Sequence, residues 1–387
     1  MHICHVITRL ILGGAQENTV LTCEGLQQRG HEVTLISGPT RGPEGSLVER
    51  ARNGGYRFLE LPELVRALNP WLDARARRVL RMEFHDRKPD VVHTHSSKAG
   101  ILARFAAHDA RVPIIVHTIH GMSFNRTQPW FVRKAFTIAE RAAARRSHAI
   151  VTVADAMIDQ SVTAGVCEAR RMTTVYSGME IEHFTPTRHD RDGIRREWGI
   201  GDDEIVVGTV ARLFRKKGYE QLIPIMAEAV QREPRLRFVW VGDGAQRTDY
   251  ERELLRLQLR DKTTLTGLIP PERVPAVLAG MDIVAHTSQW EGLPRVVVQA
   301  LLMRVPAVAF AIDGTPEVLA DREAGRLIEL GDTAAFVDAL VELAGDADAR
   351  TRMGAAGRRH CLDRFDWRVM VDQLEALYGR LSAARNA

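Results

Sequence analysis

Two segments in the second half of the chain combine the residue types that bind a phosphorylated ligand. The first, residues 210–223 (VARLFRKKGYEQLI), places Arg212 and Lys217 directly after a predicted strand and before a predicted helix. Cations at the carboxyl end of a parallel strand can neutralise a pyrophosphate, and an arginine can contact two of its oxygens at once. The alternative for such a loop is solvation alone, which we favour for Arg215 and Lys216.

The second segment, residues 288–302 (SQWEGLPRVVVQALL), follows another predicted strand and continues as a helix. Pro294 suits the first helical turn, so the free N–H groups near residues 292–295 would cradle a phosphate. Glu291 could accept hydrogen bonds from sugar hydroxyls, and Gln299 lies about two turns further along the same helix face. For this segment taken alone, a capped helix with no ligand is an equal alternative.

Histidines stand at the ends of two consecutive predicted strands in the first half, His93 and His95 on one and His117 and His120 on the next. Ligands of open parallel sheets bind at the carboxyl ends of the strands, a position that favours His120 most. A hydrogen-bonded structural role is favoured for His93 and His117, whereas His95 fits either role. His93 and His95 share a strand face, which suggests zinc, but no nearby Cys or Glu completes a ligand set and we predict no metal.

Gly13 and Gly14 stand between the first predicted strand and an amphipathic helix. Glycines at such a turn let the backbone approach a ligand closely and leave helix N–H groups directed at an anion. The spacing is not G-x-G-x-x-G, so it does not indicate a dinucleotide site, and a plain tight turn is the alternative.

Short β-branched runs alternate with segments of helical periodicity along the chain, which is typical of parallel sheets covered by helices on both faces. The predicted strands begin at His2, Glu32, Asp90, Pro113, Ala149 and Thr173, and then at Glu204, Arg237, Thr263, Asp282, Pro306 and Gly325. The polar segment 185–193 between the two series indicates a linker. We therefore predict an α/β protein of two Rossmann-like domains, residues 1–184 and 194–364. Residues 365–387 are predicted to form a helix that crosses back to pack on the first domain.

Composition is that of a globular protein, since 45% of the 387 residues are hydrophobic and 26% are charged. The sequence shows no long apolar span and no signal-peptide pattern at its start, so we expect a cytoplasmic protein. The four cysteines lack the close spacings of zinc or redox sites. Residues 1–180 hold 24 Lys and Arg against 17 Asp and Glu, and this basic excess suits a partner that presents phosphate.

Residues 128–147 (QPWFVRKAFTIAERAAARRS) place Trp130 and Phe131 beside Arg133 and Lys134, which is typical of an interfacial amphipathic helix. A packed and solvated helix is an equal alternative. Our hypothesis is a peripheral contact with the anionic inner face of the membrane and a polyprenyl-linked or lipid-linked acceptor. The aromatic and basic residues form no recognised nucleic-acid module, so we predict no nucleic-acid partner.

Taken in order, these segments resemble the retaining glycosyltransferases of the GT-B fold, family 4. The motifs that carry the resemblance are GGAQ (13–16), DVVHTHSSKAG (90–100), HTIHGMSF (117–124), VYSGME (175–180), VARLFRKKG (210–218), VGDG (241–244), LTGLIP (265–270) and EGLPRVVVQA (291–300). The resemblance implies two Rossmann-like domains that face each other across a cleft. It also implies transfer of a hexosyl group, with retention, from a nucleoside diphosphate sugar, UDP-linked by preference. The acceptor would be a hydroxyl of a glycan, lipid-linked or small-molecule substrate in cell-surface polysaccharide biosynthesis.

The same resemblance implies roles for individual residues. Arg212 and Lys217 match the pair that binds the donor diphosphate. Glu291 matches the first acid of the E-x7-E motif, which contacts the transferred sugar, and His120 matches the inter-domain histidine beside the reacting centre. The implied donor-binding set is Gly14, Arg212, Lys217, Gly242, Leu268, Glu291, Gly292, Leu293, Pro294 and Gln299, with the backbone at Leu268 holding the base. The implied acceptor-binding set is Gly13, His95 and His120.

Gln299 departs from the family pattern, because the second acid of E-x7-E would grip the donor ribose. An amide still accepts and donates hydrogen bonds but without a charge, so we expect weaker ribose binding and not loss of activity. Smaller departures are Ser177, where an Asn is usual, and Glu180. No side-chain nucleophile is obvious, and the cations and helix N-terminus suit a front-face, metal-independent reaction without a cofactor. An epimerase or hydrolase of the same fold and a non-catalytic nucleotide-sugar-binding protein stay open as alternatives.

Overall fold

The computed structural model describes residues 1–42, 45–124, 128–319 and 323–386. Their contacts divide the chain into two compact units, Met1–Met179 with Phe365–Ala387, and Glu180–Arg364. The division falls shortly before the predicted linker 185–193, and a short helix begins inside that segment at Arg191. The predicted ranges 1–184, 194–364 and 365–387 also contain residues 43–44, 125–127, 320–322 and 387, which lie outside the described residues.

The first unit is built on a parallel sheet whose strands are β1 (His2–Ile7), β2 (Glu32–Ser37), β3 (Arg57–Glu60), β4 (Val91–His95), β5 (Ile114–Ile119), β6 (Ala149–Thr152) and β7 (Met172–Thr174). In the described residues their order is β3-β2-β1-β4-β5-β6-β7. Strand β3 was not predicted, because this four-residue edge strand carries a charge at each end and none of its residues is fully buried. The sheet order reverses between β1 and β4, where open parallel sheets bind ligands.

The second unit contains the strands β8 (Ile205–Val210), β9 (Leu236–Val241), β10 (Thr263–Gly267), β11 (Ile283–His286), β12 (Ala307–Phe310) and β13 (Gly325–Ile328). All six were predicted. Across the described residues they pair in the order β10-β9-β8-β11-β12-β13, every pair being parallel. The order reverses between β8 and β11, so the loops that follow these two strands emerge side by side at the carboxyl edge of the sheet.

Helices connect these strands. In chain order the described helices are α1 (Gly14–Gln28), α2 (Val48–Arg52), α3 (Pro70–Arg87), α4 (Ser97–Asp109), α5 (Trp130–Ala144), α6 (Ala156–Thr163), α7 (Arg191–Glu197), α8 (Tyr219–Arg232), α9 (Arg247–Arg256), α10 (Val274–Ala279), α11 (Arg295–Leu302), α12 (Thr315–Val318), α13 (Thr333–Gly345), α14 (Ala347–Arg364) and α15 (Trp367–Asn386). Among them, none combines the length and apolar character that crossing a bilayer requires.

Two apolar cores cover the two faces of the first sheet, as the alternation along β1 shows. Ile3 and Ile7 pack in one core with residues of α1 and α15, whereas Cys4 and Val6 pack in the other with residues of α3 and α4. The C-terminal helix α15 therefore belongs to the first unit, although the whole second unit precedes it in sequence. Side chains of β1 and β4 at the same alternation as Ile3 face α1 and α15.

Candidate active site

Lys217 and Glu291 meet at the switch point of the second sheet. Lys217 follows β8 and Glu291 follows β11, and the Lys217 Nζ atom lies 2.5 Å from Glu291 Oε1. The two strands are hydrogen-bonded neighbours, so residues 74 positions apart in sequence come together at the ends of both. The structure thus joins the two segments that sequence analysis selected independently.

Close backbone contacts hold the two loops together. The amide of Gln289 donates to the carbonyl of Lys216 at 2.9 Å, and the Thr287 hydroxyl donates to the carbonyl of Lys217 at 3.2 Å. Gly218 has φ +79°, and a Cβ at this position would stand 1.8 Å from the Thr287 carbonyl oxygen. Only glycine fits this conformation and this approach, so Gly218 fixes where Lys217 lies.

The Glu291 carboxylate is held in its ionised form. Only 17% of its side chain is exposed, and this burial by itself raises its pKa. Lys217, His286 and a hydrogen bond of 2.7 Å from the Ser288 hydroxyl outweigh the burial, so the pKa of Glu291 lies below its ordinary value. The backbone N–H of Glu291 also donates to Asp313 Oδ2 at 2.7 Å, which fixes the start of the loop. An ionised acceptor of this kind can bind sugar hydroxyls.

His286, at the end of β11, is a member of this site that sequence analysis did not select. Its Nε2 atom lies 3.7 Å from Glu291 Oε1 and has no hydrogen-bond partner in the described part of the chain. Burial lowers the pKa of His286 to about 4, although Glu291 acts in the opposite direction. His286 could have been selected from the sequence, because it lies in the strand segment DIVAHTS that directly precedes the loop of Glu291.

Arg212 lies on the same loop as Lys217 but does not share its ion pair. The residue is exposed, and its guanidinium carbon lies 5.1 Å from the centroid of the Phe214 ring. Within residues 1–42, 45–124, 128–319 and 323–386 no ion pair involves Arg212.

The helix after Glu291 begins one residue later than the sequence suggested. Pro294 is the N-cap and α11 starts at Arg295, with the N–H groups of Val297 and Val298 both bonded to the Pro294 carbonyl. Gly292 and Leu293 are buried, and the Gly292 carbonyl accepts from Gly314 N at 3.1 Å. Gln299 is half-buried on α11.

Gly242 and Leu268 follow the two strands on the other side of β8. The Gly242 amide donates to the Gly267 carbonyl at 2.9 Å, and a Cβ on Gly242, whose φ is +134°, would lie 2.2 Å from the Ala211 carbonyl oxygen. The glycine therefore lets the ends of β8, β9 and β10 approach one another. Leu268, which follows Gly267, has 62% of its surface exposed. An apolar side chain displayed there offers a surface for a planar base.

In the first unit, the predicted glycine turn is a helix start. Gly13 is the N-cap of α1 and Gly14 its first residue, and the Gly13 carbonyl accepts from Glu17 N at 2.9 Å. Contact of either glycine with a ligand stays a prediction.

A row of histidines occupies the switch point of the first sheet. It includes His5 of β1, which sequence analysis did not select and which lies opposite His93 in the strand register. His5 Nδ1 lies 2.9 Å from His95 Nε2, and His95 Nδ1 lies 3.0 Å from His120 Nε2. The adjacency of β1 and β4, which the sequence alone leaves open, is what brings His5 into the row.

His93 and His117 have hydrogen-bond partners on either side of the row. The two ring nitrogens of His93 lie 2.5 Å from the Tyr378 hydroxyl and 2.7 Å from the Thr118 hydroxyl. His117 Nδ1 lies 2.8 Å from the Thr94 hydroxyl. These three contacts fit the structural role predicted for His93 and His117.

His5, His93 and His95 could hold a metal ion, because ring nitrogens of the three lie within 4.8 Å of one another. The third ligand that seemed to be missing thus comes from β1. The rings of His93 and His95 stack, however, with centroids 4.5 Å apart and planes 27° apart, whereas ligands of one metal point at a common centre. Burial lowers the pKa of His93 and of His95 well below the ordinary value, which favours the neutral form of both rings.

Helix α5 exposes large apolar side chains of the segment for which an interfacial helix and a packed, solvated helix were equal alternatives. Trp130 is 69% exposed, Phe131 59% and Ile138 58%. Arg133 and Lys134 are exposed on the same helix. Large apolar groups in water beside cations are unusual for a helix that only covers a core.

Comparison with known proteins gives both halves of the chain a match. Residues 12–183 match the family model described as Glycosyltransferase Family 4, and residues 190–360 match Glycosyl transferases group 1. The chain is 26% identical to the UDP-Gal:alpha-D-GlcNAc-diphosphoundecaprenol alpha-1,3-galactosyltransferase of Escherichia coli, over 97% of this chain and 96% of that protein. It is 28% identical to the D-inositol 3-phosphate glycosyltransferase of Corynebacterium efficiens, over 96% and 91% of the two chains.

Solved structures show the same fold. HepE from Anabaena, in complex with UDP and glucose, superposes with a TM-score of 0.83 at 19% identity, over 98% of this chain and all of that one. WaaG, a glycosyltransferase involved in lipopolysaccharide biosynthesis, superposes with a TM-score of 0.75 at 15% identity, over 97% and 99% of the two chains.

Proposed function

Because this chain belongs to the family 4 glycosyltransferases of the GT-B fold, with a group 1 domain as its second half, we propose that it moves a hexosyl group from a UDP-sugar to an acceptor hydroxyl. The observation that carries the proposal is the Lys217–Glu291 pair, which places a cation and an ionised acceptor 2.5 Å apart at the switch point of the second sheet. The choice of UDP as the nucleotide of the donor is supported by the donor named for the Escherichia coli relative and by the UDP bound to HepE.

Departure of the diphosphate is the step that needs most stabilisation. We assign Lys217 and Arg212 to its phosphate oxygens, together with the backbone N–H groups of Gly292 and Leu293, which precede the N-cap Pro294 of α11. These groups are preorganised positive potential where negative charge grows, so the proposed reaction requires no metal ion. Glu291 would accept hydrogen bonds from hydroxyls of the transferred sugar.

The nucleoside is assigned to the other side of β8. The exposed Leu268 and the backbone beside it would hold the base. Gly242, which lets the ends of β8, β9 and β10 approach one another, is proposed to line the same site. Gln299 would bind the ribose through its amide. In the first unit, His120 is the proposed contact to the sugar, and Gly13 and Gly14 are proposed to serve the acceptor and the donor. The predicted acceptor contact of His95 is not retained, because His95 is buried and its two ring nitrogens lie within hydrogen-bond distance of His5 and His120.

The proposed chemistry retains the configuration of the sugar. The bond from C1 to the leaving phosphate oxygen breaks, the acceptor oxygen attacks C1 on the same face, and the acceptor's proton passes to the departing phosphate. The positive charge that develops on the sugar ring is short-lived. The protein therefore needs to supply only positioning and electrostatic stabilisation.

A donor panel tests the proposal. The melting temperature would be followed with UDP, GDP, ADP and their sugars, and a ligand that binds only the folded chain raises it. We expect UDP and UDP-sugars to give the largest shift. Absence of any shift would remove the donor site from the proposal. Consumption of donor without an acceptor would instead indicate a hydrolase or epimerase, and binding without turnover a nucleotide-sugar-binding protein.

For the acceptor we propose a polyprenyl-linked or lipid-linked glycan of cell-surface polysaccharide synthesis, reached by peripheral binding of α5 to the inner membrane face. The diphosphoundecaprenol named for the Escherichia coli relative supports this class. The exposed Trp130, Phe131 and Ile138 would enter the interface, while Arg133 and Lys134 meet anionic headgroups. In flotation with vesicles that contain anionic lipid, the original protein should move upward with the vesicles. The variant that combines Trp130→Ser and Phe131→Ser should stay at the bottom. Equal flotation of both proteins would contradict the assignment.

A further inference from the structure

His5, His95 and His120 form a histidine relay, a series of two hydrogen bonds that starts inside the first unit and ends at His120. We propose that His5 and His95 are positioning residues that fix the proton of His120 on Nδ1, so that His120 serves as a hydrogen-bond donor through Nδ1 and not as a general base through that same nitrogen. The proposal rests on the proposed function only in giving His120 a substrate to contact.

His5 and His95 must each hold a single ring proton. His5 and His95 are buried, with at most 1% of their surface exposed, and burial lowers the pKa of His5 to about 3 and the pKa of His95 well below its ordinary value. A neutral imidazole donates through one nitrogen and accepts through the other. The two hydrogen bonds therefore have to point the same way along the chain.

Only two arrangements satisfy this condition. In the first, His5 Nδ1–H donates to His95 Nε2, and His95 Nδ1–H donates to His120 Nε2, which leaves the His120 proton on Nδ1. In the second every proton sits on Nε2, and His120 donates into the protein while its Nδ1 carries a lone pair. The arrangement decides whether His120 offers a donor or a base.

The inner end of the chain selects between them. His5 Nε2 is buried and has no hydrogen-bond partner among the residues that the structure describes. The second arrangement would leave an N–H group unpaired there, whereas the first leaves a lone pair. Orphaned buried donors are rarer than under-satisfied acceptors, so we infer that each N–H donates in the direction from His5 towards His120.

His93 keeps this geometry without entering the chain. Its ring lies 5.1 Å from that of His5 and 4.5 Å from that of His95, between centroids. Both of its nitrogens are engaged, by the hydroxyls of Tyr378 and Thr118. It therefore packs against the two relay rings and does not compete for their nitrogens.

The test is the tautomer of His120, read by NMR on protein labelled with ¹⁵N-histidine and without donor or acceptor. Long-range ¹H–¹⁵N spectra distinguish a protonated from an unprotonated ring nitrogen, and His120 is assigned by comparison with His120→Asn. We expect Nδ1–H for His5, His95 and His120. Nε2–H on His120, or rapid exchange between tautomers, would overturn the proposal, whether or not the variants below fold.

Two substitutions at one position extend the test. His95→Leu removes the donor to His120 Nε2, so the fixed tautomer should be lost and kcat should fall about fivefold to tenfold, as expected for one net hydrogen bond, with little change in donor KM. His95→Asn can offer an amide N–H near the place of Nδ1, so it should restore most of the fixed His120 tautomer and most of kcat. An unchanged His120 tautomer in His95→Leu would contradict the relay.

His117→Leu is the matched control, because His117 is an equally buried neighbour that lies outside the relay. It should leave the His120 tautomer as in the original protein. Elemental analysis separates the competing explanation: stoichiometric zinc whose removal changes the His5 and His95 signals would make the cluster a metal site and overturn the relay. If no nucleotide shifts the melting temperature but the tautomer is as expected, the proposed function fails and the relay stands.

Discussion

One oxygen of Glu291 receives most of the interactions at the candidate site. Oε1 accepts from Lys217 and from Ser288, and His286 lies nearest to the same atom. Among the described residues, Oε2 is the oxygen of this carboxylate that is left for another donor. A sugar hydroxyl could therefore bind Glu291 without displacing Lys217, which in turn keeps the acid ionised.

Lys217→Ala should lower kcat on the order of a hundredfold, because it removes one preorganised positive group from the departing diphosphate. It should also raise the pKa of Glu291, since the lysine charge helps to lower it. Steady-state kinetics across pH would measure both effects. Arg215→Ala removes a charge from the same loop and serves as the control. A similar loss of activity in both variants would show that the loop's charge matters and the position of Lys217 does not.

Gln299→Glu should strengthen UDP binding, by up to about tenfold, because a carboxylate makes charge-assisted hydrogen bonds with the ribose hydroxyls. Calorimetric titration of both proteins with UDP would give the difference. The gain should disappear with 2′,3′-dideoxy UDP, which lacks those hydroxyls. A gain that persists with the dideoxy nucleotide would place the effect elsewhere than at the ribose.

At the scale of elements, the site depends on how tightly the loops after β8 and β11 pack. Gly218→Ala should destabilise the second unit by more than the roughly 1–2 kcal/mol that a left-handed alanine costs, because its Cβ also meets the Thr287 carbonyl. Gly199 has φ +67° with no atom near its would-be Cβ, so Gly199→Ala isolates the conformational cost. Chemical denaturation would compare the two.

Because Gly218→Ala should displace Lys217, we also expect this variant to be inactive. Gly199→Ala should keep normal kinetics. Equal stability losses in the two variants would indicate that the loop after β8 moves aside freely. The contact with β11 would then have no part in positioning the lysine.

The elements that could be predicted from sequence are those that bury a run of β-branched residues, such as β8 and β11. Edge strand β3 could not, because a half-buried strand with charged ends carries no such run. For the site, Lys217 and Glu291 were predicted because each follows its strand in a recognisable segment. His5 and Asp313 were missed, since each acquires its place from a strand or loop that is distant in sequence, whereas His286 ends the strand that Glu291 follows and could have been found from the sequence.

At the scale of the whole molecule, the two units differ in how many neutral histidines they bury. Burial lowers the pKa of His5, His93, His95 and His117, all in the first unit. In the second unit the described histidine with such a shift is His286. Acidification should therefore act unequally on the two units.

The sign follows from proton uptake. A histidine whose pKa in the folded protein lies below the unfolded value of about 6.5 binds its proton first in the unfolded chain, so stability falls as pH falls below that value. Each such residue contributes up to about 1.4 kcal/mol per pH unit in this range. Between pH 7.5 and 5 the first unit should lose several times more stability than the second.

Scanning calorimetry at several pH values, with each unit assigned by a destabilising variant, would measure this difference. Gly218→Ala marks the transition of the second unit, and His117→Leu should reduce the pH dependence of the first by about one proton, because one titrating ring is gone. Parallel shifts of both transitions, or an unchanged slope in His117→Leu, would mean that the buried rings take up protons without unfolding. In that case the neutral state on which the His5–His95–His120 chain depends would not hold below neutral pH.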